Sequence, residues 1–267
     1  MNPHNSRADL CALEYNRADM TPEQPQSFEP QPPGMSEISR VTGVFFEPAK
    51  TFEDVAARPS FWVPLILVLL FTTVYMSLFA QHVGWERERR EFEMSPRAQQ
   101  MPPEQRERIM QMQLRFAPFY PVGVLLVILV VDLSWAAVLL GIVKVIMSVP
   151  VRFKQVFAVV CYAGMPSLIF TVLAIAVMFM KNPDDFNLKN PLAFNPGAFM
   201  DPITSSKSLY SLASSLDLFV IWTLVLIAIG LKTAGGNKIS FGGALAAVFV
   251  PWGTWVLCKS ALAGIFG

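Results

Sequence analysis

The chain of 267 residues is 53% hydrophobic and only 15% charged, too apolar for an ordinary soluble domain, so lipid must be part of its solvent. A formal net charge of +1 with no basic face excludes a nucleic-acid binder, which has to displace counterions from phosphates. Cys11, Cys161 and Cys258 are scattered, two of them in apolar segments, and form no CxxC pair; a disulfide framework and redox chemistry are disfavoured.

The first 35 residues are polar and rich in Pro, Gln and Glu, without a basic stretch leading into an apolar one. They read as a disordered tail and not as a secretory signal. Met20 and Met35 precede the ordered-looking sequence, which leaves a translation start later than Met1 open. From Ser36 onward, Ile38, Val41, Val44 and Phe45 recur at helical spacing, with Ser39 and Arg40 on the other side, predicting an amphipathic helix. Its stop is expected at Phe46-Glu47-Pro48, because a proline disfavours α geometry in the residue before it. A second start is expected at Thr51, spaced from Asp54 as a capping box, with the helix over by Pro59. Residues 36–60 are thus read as amphipathic interfacial helices on the membrane surface, with packing beneath a helix bundle as the equal alternative.

Residues 61–267 carry the spanning domain. Five segments meet the length needed to cross hydrocarbon: Phe61 to Ala80, Pro121 to Met147, Val156 to Met180, Leu209 to Leu231 and Phe241 to Phe266. In lipid each backbone N–H and C=O must be paired within its own segment, so the expected fold class is all-α, a polytopic integral membrane helical bundle. Lys144, Arg152 and Lys154 border one short link, Lys232 and Lys238 another, and with Lys50 and Arg58 they favour a cytoplasmic N-terminus and an outside C-terminus. Against that count stand seven arginines between Gln81 and Tyr120 and three lysines between Met180 and Leu209. The arginines of the first of these links alternate with six glutamates, with Glu86/Arg90, Arg87/Glu91 and Arg89/Glu93 at i,i+4.

That link, residues 81–120, is expected to form an extramembrane helical cap that resumes at Pro102-Pro103-Glu104, with Ile109, Met112 and Phe116 as an apolar stripe. Before the fourth span, Asn190-Pro191-Leu192-Ala193-Phe194 is followed directly by Asn195-Pro196-Gly197-Ala198-Phe199. Asn then Pro is N-cap then N1 chemistry, so each unit of this tandem repeat is expected to start one helical turn within a structured interfacial loop.

Phe45-Phe46-Glu47-Pro48 with Thr51-Phe52, Tyr162-Ala163-Gly164-Met165-Pro166, the Asn-Pro-x-Ala-Phe loop, and Ser215-Leu216-Asp217-Leu218-Phe219-Val220-Ile221-Trp222 leading to Ile229-Gly230-Leu231 together resemble the bacterial branch of the Yip (Ypt-interacting protein) family. The resemblance runs from about Ser36 to the C-terminus. It implies five helices, a cytoplasmic N-terminal region and a role without established catalysis. In eukaryotic members it implies contact with small prenylated GTPases, a role not carried over, since nothing in the tail resembles a GTPase-binding motif.

Ionisable groups inside spans are costly and mark candidate sites. Asp132 lies near the middle of the second span and Asp217 toward the outer part of the fourth. As a pair they would be the carboxylates of an intramembrane aspartyl enzyme, or separately members of a proton or ion relay, or buried hydrogen-bonded groups that fix helix register. The flanking sequences lack the tyrosine and glycine context of such an enzyme, and the register role is preferred. Pro166 and Pro251 are the candidate helix breaks; interrupted spans build midplane substrate sites in transporters, but prolines are also tolerated by packing. Lys144 and Lys259 are expected to snorkel to the interface. His4 and His82 are the only histidines, which argues against a metal site or a Ser-His-Asp triad, and there is no Walker or dinucleotide motif.

No catalytic, cofactor or metal residues are therefore assigned. The preferred reading is a non-catalytic membrane scaffold or adaptor whose partners are the bilayer and either other proteins or further copies of itself. A small transporter or permease subunit and an intramembrane aspartyl enzyme are the alternatives. The expected location is a bacterial inner membrane.

Overall fold

The computed structural model describes residues 34–94, 96–116, 119–188, 190–201 and 204–266, and among them are helices and turns but no strand. The disordered-tail reading falls, up to residue 33, outside the described residues.

The chain opens with a helical hairpin. Ser36 caps α1 (Glu37–Phe46) by accepting the Ser39 N–H at 3.1 Å, and the Glu47 N–H closes the helix on the Gly43 carbonyl. α2 (Pro48–Ala57) begins immediately, with proline at the first position, where its missing N–H is not needed. The capping box expected at Thr51 is not the start: Thr51 lies buried inside α2, and its hydroxyl donates to the Glu47 carbonyl at 3.0 Å. Pro48 presets φ and initiates the helix a turn earlier.

Five helices are long and apolar enough to cross a membrane: Trp62–His82, Val122–Ile146, Phe153–Met180, Leu218–Gly235 and Phe241–Ile265. The first is α3 (Trp62–His82). In the link that follows stand α4 (Glu86–Met94), α5 (Pro96–Gln99) and α6 (Pro103–Phe116), the last starting at the expected proline. The Arg106 guanidinium fastens α6 to α5 by donating to the Ala98 carbonyl at 3.1 Å. Met112 and Phe116 of the apolar stripe are exposed, and Ile109 is half-buried. Arg90 forms an ion pair with Asp184, joining this link to the loop after the third span; Glu86, Arg87 and Glu91, in two of the expected pairs, have side chains outside the described ones.

The second span is α7 (Tyr120–Gly141), extended by one wider turn, Ile142–Ile146, whose close is a Met147 N–H bond to the Ile142 carbonyl. The third consists of α8 (Phe153–Ala163) and α9 (Pro166–Met180), parted at Gly164-Met165. The fourth differs from expectation: α10 (Lys207–Ser215) is a separate helix, and the span proper is α11 (Leu218–Gly235). The break has a local cause, because the Asp217 carboxylate accepts the Phe219 N–H at 2.9 Å and so starts a new helix. The fifth is α12 (Phe241–Phe266), which runs unbroken across Pro251. Pro251 is therefore not a helix break, in line with the general tolerance of spanning helices for proline, whereas Pro166 stands at the first position of α9 just after a real one.

α8 is the centre of the core. Its residues from Val156 to Ala163 are all buried, which a helix achieves only when it is enclosed on every side. α7 and α11 flank it, α3 adds a further contact, and α1 and α2 close the remaining face.

Candidate functional site

The junction where α1 and α2 meet α8 and α11 holds the most strongly buried charge described. Arg40 is 4% exposed, and its Nε donates to Asp54 Oδ2 at 2.7 Å while Nη1 reaches Glu37 Oε1 and Nη2 the Arg58 carbonyl, each at 3.2 Å. The guanidinium fork thus ties both ends of the hairpin to itself. Burial alone lowers its pKa, but the hydrogen bond and charge of Asp54, together with Tyr162, outweigh burial and hold it above the ordinary arginine value. Glu37 also accepts from the Tyr162 hydroxyl on α8, and Gln155 Nε2 donates to the Ala56 carbonyl at 2.8 Å. The periodicity places Arg40 on the polar side of α1 and so on the solvent side; the long-range partners that bury it leave no trace in local spacing.

An apolar seam completes the junction. Phe52, Val44 and Val55 are fully buried, and Phe45 meets Trp222 edge to face with ring centroids 5.8 Å apart. A Cβ on Gly230 would collide with Val159 Cγ1 and stand 3.1 Å from Phe52 Cδ1. Motifs that are far apart in sequence, around Phe45, Phe52, Tyr162, Trp222 and Gly230, thus converge on one place.

Of the two aspartates, Asp217 belongs to a second polar knot. Its Oδ1 takes the Phe219 N–H, and its Oδ2 accepts from Asn195 Nδ2 at 3.3 Å. Asn195 pairs with the Asn190 amide and caps the short helical turn Pro196–Phe199 by accepting the Ala198 N–H at 3.1 Å. Only the second unit of the tandem repeat forms a helical turn. Gly197 makes it possible, because a Cβ there would lie 2.8 Å from the Ser214 backbone N of α10. In the first unit Asn190 spends its side chain on Asn195 and caps no helix of its own.

Asp132 is elsewhere. It lies half-buried one turn before the buried Ala136, on the stripe that Leu139 and Val143 continue. α7 packs on α3 and α8, whereas α11 packs on α2, α8, α9 and α12. The structure therefore places the two carboxylates in separate settings, one capping a helix and one on the flank of α7. Lys259, expected to snorkel to the interface, donates to Ser215 Oγ of α10 at 2.7 Å.

The fold and the junction define a multi-pass integral membrane protein whose N-terminal helices are docked into the bundle. The chain belongs to the Yip1 family: the Yip1 domain matches residues 42–261. No curated protein and no solved structure matches it.

Proposed function

We propose that this protein is a non-catalytic membrane scaffold that presents its N-terminal hairpin as a rigid platform to protein partners or to further copies of itself. The observation that carries this reading is the docked hairpin. Arg40 and Gly230 hold one side of it on the bundle, and the other side offers Ile38 and Phe46, 78% and 83% exposed, with Thr42 between them at i,i+4 spacing. Exposed apolar side chains on a fixed, polar-rimmed helix are the usual anatomy of a contact surface. The cationic short links that accompany the hairpin, with Arg152, Lys154, Lys232 and Lys238, favour a cytoplasmic face for it and an outside C-terminus, in a bacterial inner membrane.

The test is a photo-reactive phenylalanine analogue at Phe46 in native membranes. The expected result is a protein adduct of one discrete mass, lost when Gly230→Val undocks the hairpin while the chain stays inserted. Adducts to lipid alone, or a protein adduct indifferent to Gly230→Val, would overturn the platform reading.

A further inference from the structure

We propose that Lys259, anchored on Ser215 of α10, binds the phosphate of an anionic phospholipid in the leaflet where α11 begins. Lys259 stands on a spanning helix, and its ammonium donates to Ser215 Oγ at 2.7 Å. Ser215 is buried, and its own proton goes to the Ser211 carbonyl at 2.7 Å, so towards Lys259 it acts purely as an acceptor. An ammonium carries three donors, and Ser215 takes one of them. Among the described residues no carboxylate pairs with Lys259. A cation on a spanning helix, anchored by a hydroxyl and lacking a protein counter-charge, is completed by an anion from the lipid.

The depth fits a headgroup. Ser215 is two residues before Asp217, the residue at which the spanning helix α11 starts. The seat is also rigid. α10 and α12 lie so close that a Cβ on Gly264 would collide with Ser208 Oγ, and Ser260 Oγ lies 3.5 Å from Ser211 Oγ. Lys259, itself exposed, is thus held beside the start of α11, with Ser215 engaging one of its three donors.

The experiment is native mass spectrometry of the full chain released from mild detergent supplemented with phosphatidylglycerol, phosphatidylcholine or inorganic phosphate. One phosphatidylglycerol should stay bound to the wild type and to Lys259→Arg. Its occupancy should fall about fivefold in Lys259→Gln, with no comparable retention of phosphatidylcholine. Lys144→Gln, which removes a cation from the end of a different span, should leave occupancy unchanged. If Lys259→Gln fails to fold, Ser215→Ala decides: reduced occupancy supports the site, and unchanged occupancy overturns it. Equal retention in Lys259→Gln, an equal loss in Lys144→Gln, or displacement of the lipid by millimolar inorganic phosphate would each overturn the proposal.

Discussion

Phe52 on α2 seats its ring against Gly230 on α11, where an added Cβ would stand 3.1 Å from Phe52 Cδ1 and overlap Val159. The hairpin is in place because this position lacks a side chain. Gly230→Ala should cost about 1–3 kcal/mol by overpacking, seen as a lower melting temperature in mild detergent. The companion change Phe52→Leu should recover part of that loss in the double variant. Full additivity of the two changes would show that the contact does not carry the docking.

Arg40 is the electrostatic clamp of the same junction. Arg40→Ala leaves Asp54 and Glu37 buried to different degrees without their cation, with Asp54 the more enclosed at 13% side-chain exposure. Breaking such a pair from one side costs about 3–5 kcal/mol, and the hairpin should become open to trypsin at Lys50 and Arg58. Because an apolar replacement of a whole buried pair is often close to neutral, Arg40→Met with Asp54→Leu should regain most of the stability. Unchanged proteolysis in Arg40→Ala would rule out the clamp.

Asp217 is read as a helix cap, and a cap needs an acceptor oxygen, not a charge or a transferable proton. Asp217→Asn keeps an acceptor for the Phe219 N–H but turns an NH2 towards Asn195 Nδ2, so it should cost about 1 kcal/mol and keep any cellular activity, while Asp217→Ala, which loses both bonds, should cost more, about 1–3 kcal/mol. An activity abolished by Asp217→Asn in a protein that still folds would return this residue to the catalytic candidates.

Pro251 lies within an unbroken α12. Pro251→Ala restores an N–H to the helix ladder, so it should raise stability, by no more than the roughly 3 kcal/mol that proline costs inside a helix. Thermal unfolding measures this directly. A clear destabilisation would mean that neighbouring helices are shaped to the proline.

Membrane class, number of spans and their approximate places were legible in the sequence, and so were the stop at Phe46 and the proline start of α6. Each rests on residues adjacent in the chain: about twenty consecutive apolar side chains suffice for a span, and a proline acts on its own turn. The family resemblance was likewise legible in short motifs, though not the reason those motifs belong together. Asp217 shows the limit. Its apolar flanks merge Leu209 to Leu231 into one span, yet its carboxylate caps the second of two helices, with Asn195 supplied by the preceding loop. Arg40 shows it more strongly. Helical periodicity puts it on a polar face, but whether that face meets water, lipid or protein depends on Asp54, 14 residues on, and on the neighbouring Glu37, whose partner Tyr162 is 125 residues away. The sequence by itself determined what dissolves in the bilayer, because transfer to hydrocarbon sums over local side chains. Only the tertiary structure decided which charges are paired and which helices enclose α8, because those energies exist only between residues that folding brings into contact.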